Sequence, residues 1–362
     1  MKPNIFKYAT NELSQDALLC YLLEFSKKEN REYEKEYLFA NLFLNEILKK
    51  FSLEIKIEEL CIKKQYYNID VLLIINDEYY IIIEDKTFTQ ERKGQMPSYK
   101  DKIKKYFKNI NEEKIYGLYF KTGDESFENI KNKENTENMN IKSMLRKEII
   151  NIFENYSGDN IIFNDYLYHL KEMQLSRESF VNVNLKEEMY TWDQIIGLYN
   201  VLDLEFIKLK KEKILPNEIG FNWEYVSNKN GGFMSYYFSN VLNFEKYGYY
   251  MQIEASGKNG EEKRTNNYFE KKLKLSVKVW SNNKNIDILY KGFEILKKEE
   301  IFSDDIRPSR FSKGTWMTQM VITDYIVLNE NGTINVSQTA LNIIKYLKAI
   351  LEMKDKLKDL EN

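Results

Sequence analysis

Apolar residues recur at helical spacing in two stretches near the start of the chain, residues 14–25 and 32–51. In the first stretch, Leu18, Leu22 and Phe25 share one face, because residues three or four apart are neighbours on a helix. The second stretch repeats the pattern over a longer span. The chain is therefore predicted to begin with two amphipathic helices.

The pattern then changes to that of strands. Residues 53–61 alternate between apolar and polar positions, and residues 69–75 and 79–83 are runs of leucine, tyrosine and β-branched residues. The polar residues 76–78 separate the last two runs, and a short polar turn between apolar strands predicts a β-hairpin. Three consecutive strands are expected.

A basic helix over residues 98–108 and a strand over 114–121 are predicted next. Residues 125–145 are rich in asparagine, lysine and glutamate and predict an exposed loop or a frayed helix. Helical patterns resume over residues 147–174, and a long helix over 191–213 leads into the second half of the chain.

The C-terminal half mixes strands and helices. Its predicted strands cover residues 221–226, 233–238, 247–254, 272–280 and 317–328, and its predicted helices cover 286–297 and 337–360. We therefore predict an α/β chain with a domain over residues 1–175, a helical connection over 176–215 and an α+β domain of unassigned role over 216–362.

Composition limits the class of protein. The hydrophobic fraction is 43% and the charged fraction 30%, as in soluble globular proteins. No apolar run approaches the roughly 20 residues that span a bilayer, and the polar N-terminus lacks a signal-peptide core. Cys20 and Cys61 are too few for a disulfide framework. We expect a reducing, cytoplasmic setting.

The chain has one histidine, His169, in a predicted helix where a surface position is favoured. Catalytic triads and zinc sites built on histidine are therefore excluded in practice. The net charge is −2, so any binding of nucleic acid depends on local basic patches. Carboxylate and lysine chemistry remains.

Acidic and basic residues flank the predicted hairpin. Asp70 lies near the start of one strand, and Glu84, Asp85 and Lys86 end the other. Because side chains alternate along a strand, Glu84 and Lys86 lie on one face of the sheet and Asp85 lies on the other. The hairpin brings Asp70 beside Glu84. Two carboxylates and an ammonium group are thus predicted to meet at one sheet edge.

This set suits phosphodiester hydrolysis. Carboxylates bind Mg²⁺, which neutralises phosphate charge and lowers the pKa of a bound water. Lys86 either orients or deprotonates the attacking water or stabilises the charge that develops, and its two acidic neighbours slightly favour the second role because they raise its pKa. A solvated strand end is the alternative, and for the three residues Glu84, Asp85 and Lys86 alone it is the commoner case.

The order helix, three-strand meander, helix and strand over residues 12–121 resembles the restriction-endonuclease-like core of the PD-(D/E)XK nuclease superfamily. Asp70 matches the first acid of that family, Glu84 the second and Lys86 the lysine. Ile69 replaces the proline of the motif, which is structural and often missing. The resemblance implies a nuclease that uses Mg²⁺, with Mn²⁺ as a substitute.

Three further residues resemble the RecB-like branch of the superfamily. Gln95 and Tyr99 match its Gln-x-x-x-Tyr element, which implies that they position the substrate or the catalytic groups; packing at a helix start is the alternative. Glu12 precedes the first helix, where the branch often supplies another metal-binding acid. An acid that complements the helix dipole explains Glu12 equally well.

A locally basic segment follows Lys86. Arg92, Lys93 and Lys100 are candidate phosphate contacts close to the predicted site, and a solvated helix face is the alternative. The resemblance favours DNA as the substrate, since most relatives act on DNA. An RNA-cutting nuclease and an idle, nuclease-derived binding protein remain alternatives. The last helix either packs within the chain or joins two copies as a homo-oligomer.

Overall fold

The structure is a computed structural model. It describes residues 4–8, 12–87, 89, 91–92, 94–107, 110–227, 232–255, 273–282, 287–303, 311, 313–322, 324–358 and 360. The chain divides into two compact units. The first unit comprises Met1–Glu125 with Asn129–Leu175, and the second comprises Ser126–Glu128 with Ser176–Asn362.

The first unit contains a five-stranded mixed sheet in the order β1-β2-β3-β4-β5. β2 runs antiparallel to β1 and to β3, whereas β3, β4 and β5 run parallel to one another. The strands are β1 (Leu60–Tyr66), β2 (Ile69–Ile75), β3 (Tyr79–Lys86), β4 (Ile115–Lys121) and β5 (Asn140–Leu145). The helices between residues 12 and 178 are α1 (Glu12–Glu24), α2 (Glu34–Lys50), α3 (Gln95–Tyr106), α4 (Phe127–Glu134), α5 (Arg146–Phe153) and α6 (Ile161–Glu178).

Both faces of this sheet are buried, which is why β2 and β3 are continuous apolar runs. Residues such as Val71 and Ile83 pack into a core with α1, α2, α5 and α6. Their neighbours, such as Leu72 and Ile82, pack into a second core with α3. The predicted α/β order of helices, three-strand meander, helix and strand is confirmed.

Two of the predicted elements in this unit were wrong. The first strand is Leu60–Tyr66 and not residues 53–61. Residues 53, 55 and 57 alternate because their side chains pack, half-buried, against the core beside α1 and α2 without strand pairing. Residues 125–145 contain α4 and the strand β5. Pairing with β4 defines β5, and such non-local pairing overrides its weak local pattern.

The second unit contains a five-stranded antiparallel sheet in the order β10-β9-β8-β7-β6. Its strands are β6 (Gly220–Val226), β7 (Phe233–Asn243), β8 (Tyr247–Ala255), β9 (Leu273–Ser281) and β10 (Trp316–Ile322). Its helices are α7 (Trp192–Lys211), α8 (Asp287–Leu296), α9 (Val336–Glu352) and α10 (Lys354–Leu357).

One core in the second unit joins the alternating apolar residues of this sheet to α7, α8 and α9. The last strand ends at Ile322, before the predicted end at residue 328, and the last predicted helix is divided at Met353. Among the described residues, no helix has both the length and the apolar character that crossing a membrane requires.

Candidate active site

The strand hairpin brings together the two acids and the lysine. The register pairs Val71 with Ile83, so that Asp70 and Glu84 lie at the same end of β2 and β3. The Nζ atom of Lys86 lies 2.7 Å from Glu84 Oε1 and 3.6 Å from Asp70 Oδ2. All three side chains therefore meet on the face of the sheet that packs against α3.

The first turn of α3 adds Gln95 and Tyr99 to this cluster. Gln95 Nε2 donates to Glu84 Oε1 at 2.6 Å and to the hydroxyl of Tyr99 at 2.7 Å. The two α3 residues are one helical turn apart, so both side chains lie on the same helix face. Glu84 is thus held between a strand lysine and a helix glutamine.

Burial makes the Glu84 carboxylate costly to ionise. Glu84 is 0% exposed, and its Oε2 atom has no hydrogen-bond partner in the part of the chain that the structure describes. Burial, followed by the negative charge of Asp70, raises the pKa of Glu84 to about 8, although Lys86 acts in the opposite direction. A cation bound beside Oε2 would satisfy this atom and favour the ionised form.

Asp85 lies on the opposite face of β3. Its Oδ1 atom accepts a hydrogen bond from the side-chain amide of Gln15 in α1. Thr122 and Tyr166 each donate a hydroxyl hydrogen to Gln15 Oε1 at 3.0 Å. Asp85 is therefore part of the interior between the sheet and α1, and its backbone N–H donates to Asp70 Oδ2 at 3.0 Å.

Sequence reasoning missed two residues at Asp70. The Nε2 atom of Gln65 donates to Asp70 Oδ1 at 3.2 Å and to Asp16 Oδ2 at 2.7 Å. Asp16, on α1, is 1% exposed, and burial followed by the charge of Asp70 raises its pKa to about 6. The sequence offered one signal for Asp16: it shares a helix face with Leu19 and Leu23, whose side chains are buried.

The other predicted site residues have different surroundings. Glu12 begins α1, but its side chain lies outside what the structure describes, and Lys93 lies outside the described residues altogether. Arg92 is exposed, and its backbone N–H donates to Gln95 Oε1 at 3.2 Å. The Nζ atom of Lys100 donates to the carbonyl of Asn138 at 2.7 Å.

The donor set limits what the site can hold. Among the described residues, no group of three or more histidine, cysteine, aspartate or glutamate side chains is arranged to hold a metal ion. Asp70 and Glu84 supply carboxylate oxygens only. Two such carboxylates suit Mg²⁺, which keeps several of its waters when it binds to proteins.

Comparison with known proteins supplies one further finding. The model of a family in the PD-(D/E)XK nuclease superfamily matches residues 3–199, which is more than half of the chain and includes every site residue described above. The match does not distinguish the RecB-like branch, which stays a prediction. No curated protein and no solved structure matches the chain.

Proposed function

This chain belongs to the PD-(D/E)XK nuclease superfamily, and we propose on that premise that it is a Mg²⁺-dependent nuclease that hydrolyses phosphodiester bonds in DNA. Nucleases of this superfamily generally use divalent metals. The observation that carries the proposal is the fully buried Glu84 carboxylate, which lies beside Asp70 and has one oxygen without a partner in the described chain.

Asp70 and Glu84 would hold the metal. When bound there, Mg²⁺ supplies charge neutralisation for the phosphate and lowers the pKa of the attacking water. One glutamine amide orients each carboxylate: Gln65 bonds Asp70, and Gln95 bonds Glu84. Hydrogen bonds of this kind fix metal-binding side chains before the ion arrives.

Lys86 acts as an electrostatic group in this proposal. Its ammonium is close to Glu84 and Asp70 and donates to the carbonyl of Asp85 at 2.9 Å. Three negative or partly negative groups favour the protonated amine, which cannot accept a proton from water. A fixed ammonium stabilises negative charge that develops on the phosphoryl oxygens during attack.

The hydrogen bonds of Gln95 with Glu84 and Tyr99 support the RecB-like branch and a positioning role for the glutamine and the tyrosine. We further propose phosphate contacts from Arg92, which is exposed next to Gln95, and from Lys93 on its sequence position. The bond of Lys100 to a backbone carbonyl gives that residue a structural partner instead.

The test is cleavage of labelled single-stranded DNA, duplex DNA and RNA of one sequence, in Mg²⁺, in Mn²⁺ and in EDTA. We expect cleavage of DNA that needs the metal and is lost in Asp70→Ala, Glu84→Ala and Lys86→Ala. Lys49→Ala, an exposed lysine of α2, is the matched control and should cleave normally.

Activity that persists in all three variants would overturn the site. Cleavage of RNA alone would replace DNA as the substrate. A wild-type protein that binds nucleic acid, does not cut it and has no affinity for Mn²⁺ would instead support the idle, nuclease-derived binding protein.

A further inference from the structure

The second sheet carries a cavity that the proposed catalytic site does not use. Its volume is about 510 Å³, and it is lined by residues of β6, β7, β8, β9 and β10. Most of the lining residues alternate along the strands with those that enter the core beside α7 and α9. Binding pockets for small organic groups have volumes in this range.

Aromatic side chains form the walls of the cavity: Tyr237, Tyr250, Trp280 and Trp316. The rings of Tyr250 and Trp316 meet edge to face with centroids 5.6 Å apart, and Trp316 is 66% exposed. Large exposed aromatic surface is costly in water, and a planar ring stacked on it would cover it.

Glycine at position 248 allows Trp280 its position in the wall. A Cβ atom on Gly248 would collide with the indole Nε1 of Trp280, which lies opposite on the neighbouring strand. The indole therefore lies directly against the backbone of β8. A ring held in this way loses little entropy when a ligand stacks on it.

A buried amide lies among these rings. Gln252 lines the cavity and is 7% exposed, yet its side chain makes no hydrogen bond to any described residue. The register sets it opposite Tyr237 on one side and Ser276 on the other, and the buried Ser276 Oγ also lacks a partner among the described residues. A ligand in the cavity that carries donors and acceptors would bond the Gln252 amide, which offers both kinds of group.

The charged groups at the cavity balance one another. Lys278 Nζ lies 2.6 Å from Glu254 Oε1 and 2.9 Å from Thr318 Oγ1, and Lys274 Nζ lies 3.6 Å from Glu254 Oε2, so that two ammonium groups share one carboxylate. Glu224 adds a negative charge to the lining. The ligand that fits is planar and neutral, with hydrogen-bonding groups on its edge.

We propose that this cavity binds an unpaired nucleobase of the nucleic-acid substrate, stacked on Trp316 or Trp280 and hydrogen-bonded at its edge by Gln252. The inference rests on the proposed nuclease function, because that function supplies the nucleic acid. Proteins bind single strands by stacking bases on aromatic side chains and bonding their exposed edges. A glutamine amide donates through its NH₂ group and accepts through its oxygen, which matches the acceptor and donor on the edge of adenine.

The experiment measures binding in EDTA, so that cleavage plays no part. Single-stranded oligonucleotides, each with one 2-aminopurine, are titrated with the full chain, and quenching of the 2-aminopurine reports stacking. Trp316→Ala should weaken single-strand binding by about fivefold to a hundredfold and reduce the quenching, since one stacked base contributes about 1–3 kcal/mol. Duplex binding should be unchanged.

Gln252→Leu should change the order of affinities among dA, dC, dG and dT homopolymers. Leu204→Ala and Gln338→Leu are matched controls on exposed positions of α7 and α9, and both should bind as the wild type does. Melting temperatures show that each variant is folded.

Normal single-strand binding and quenching in both Trp316→Ala and Gln252→Leu would overturn the inference. If the variants bind normally and the wild type cuts DNA in Mg²⁺, only the base-binding proposal fails. If the wild type shows neither cleavage nor single-strand binding, the proposed function fails with it.

Discussion

Glu84 in the first unit and Asp203 in the second are both buried carboxylic acids, and they differ in how many hydrogen bonds their oxygens accept. Asp203 of α7 accepts hydrogen bonds on both oxygens, from the hydroxyl of Tyr236 at 2.9 Å, the indole of Trp223 at 3.1 Å and the backbone N–H of Phe127 at 2.9 Å. Glu84 has Oε2 without a partner in the described chain and a second acid beside it.

Burial is the main cause of a raised pKa in both acids, to about 6 for Asp203 and about 8 for Glu84. The three donors lower the pKa of Asp203, whereas Asp70 raises that of Glu84 further. A high pKa alone therefore does not identify a metal site. The feature that supports the proposed metal site is the unpartnered oxygen of Glu84 next to Asp70, since a bound cation would complete it.

The largest expected effect is on cleavage, which should depend on Glu84 and not on Asp203. Glu84→Gln keeps the size of the side chain but removes a carboxylate of the proposed metal site, and we expect cleavage to fall on the order of a thousandfold or more. Asp203→Asn, the matched change in the second unit, should cleave normally at a temperature where it is folded. Rate measurements in Mg²⁺ on both variants test the comparison; equal losses would break it.

A second prediction concerns stability and pH. The folded pKa of Asp203 is raised from 3.8 to about 6, so the folded protein holds a proton that the unfolded chain has released between these values. The contribution of Asp203 to stability therefore decreases as the pH rises through this window. Denaturant titrations should show Asp203→Asn gaining about 2 kcal/mol relative to the wild type across it.

In Asp203→Asn, the side-chain oxygen of the asparagine can still accept a hydrogen bond from Trp223 or Tyr236, so we expect the variant to fold. Asp203→Ala leaves those donors without an acceptor and should be less stable than the asparagine variant at every pH. A stability difference between Asp203→Asn and the wild type that does not change with pH would contradict the assignment.

The smallest expected effect is on metal affinity and concerns the hydrogen bond between Gln65 and Asp70. Gln65 holds Asp70 from a left-handed backbone with a φ of 50°, which costs energy in a residue with a side chain. Gln65→Leu should weaken Mn²⁺ binding roughly tenfold, as the loss of a group that orients a ligand does. Mn²⁺ titration followed by electron paramagnetic resonance measures this without cleavage.

Gln338→Leu, a change on the exposed face of α9, should leave Mn²⁺ affinity unchanged. Asp16→Asn retains an oxygen that can accept from Gln65 and should therefore lose less affinity than Gln65→Leu. Unchanged Mn²⁺ affinity in Gln65→Leu would show that Asp70 needs no such support.

The convergence of Asp70, Glu84 and Lys86 was predictable because it is local. A tight turn joins two apolar strands, and the alternation of side chains then decides which face each residue has. Gln95 and Tyr99 were expected near this site only through the family resemblance, and their contacts with Glu84 and with each other agree with that expectation.

The sequence by itself determined the elements that local periodicity encodes: the hairpin of β2 and β3, the amphipathic helices and the face on which Glu84 and Lys86 lie. Only the tertiary structure decided that Gln65 bridges Asp16 and Asp70, and that β5 pairs with β4. Asp16 and Gln65 belong to different elements, and their bond depends on how α1 packs on the sheet. Local pattern cannot specify such contacts, because they form only when distant segments bury their apolar faces together.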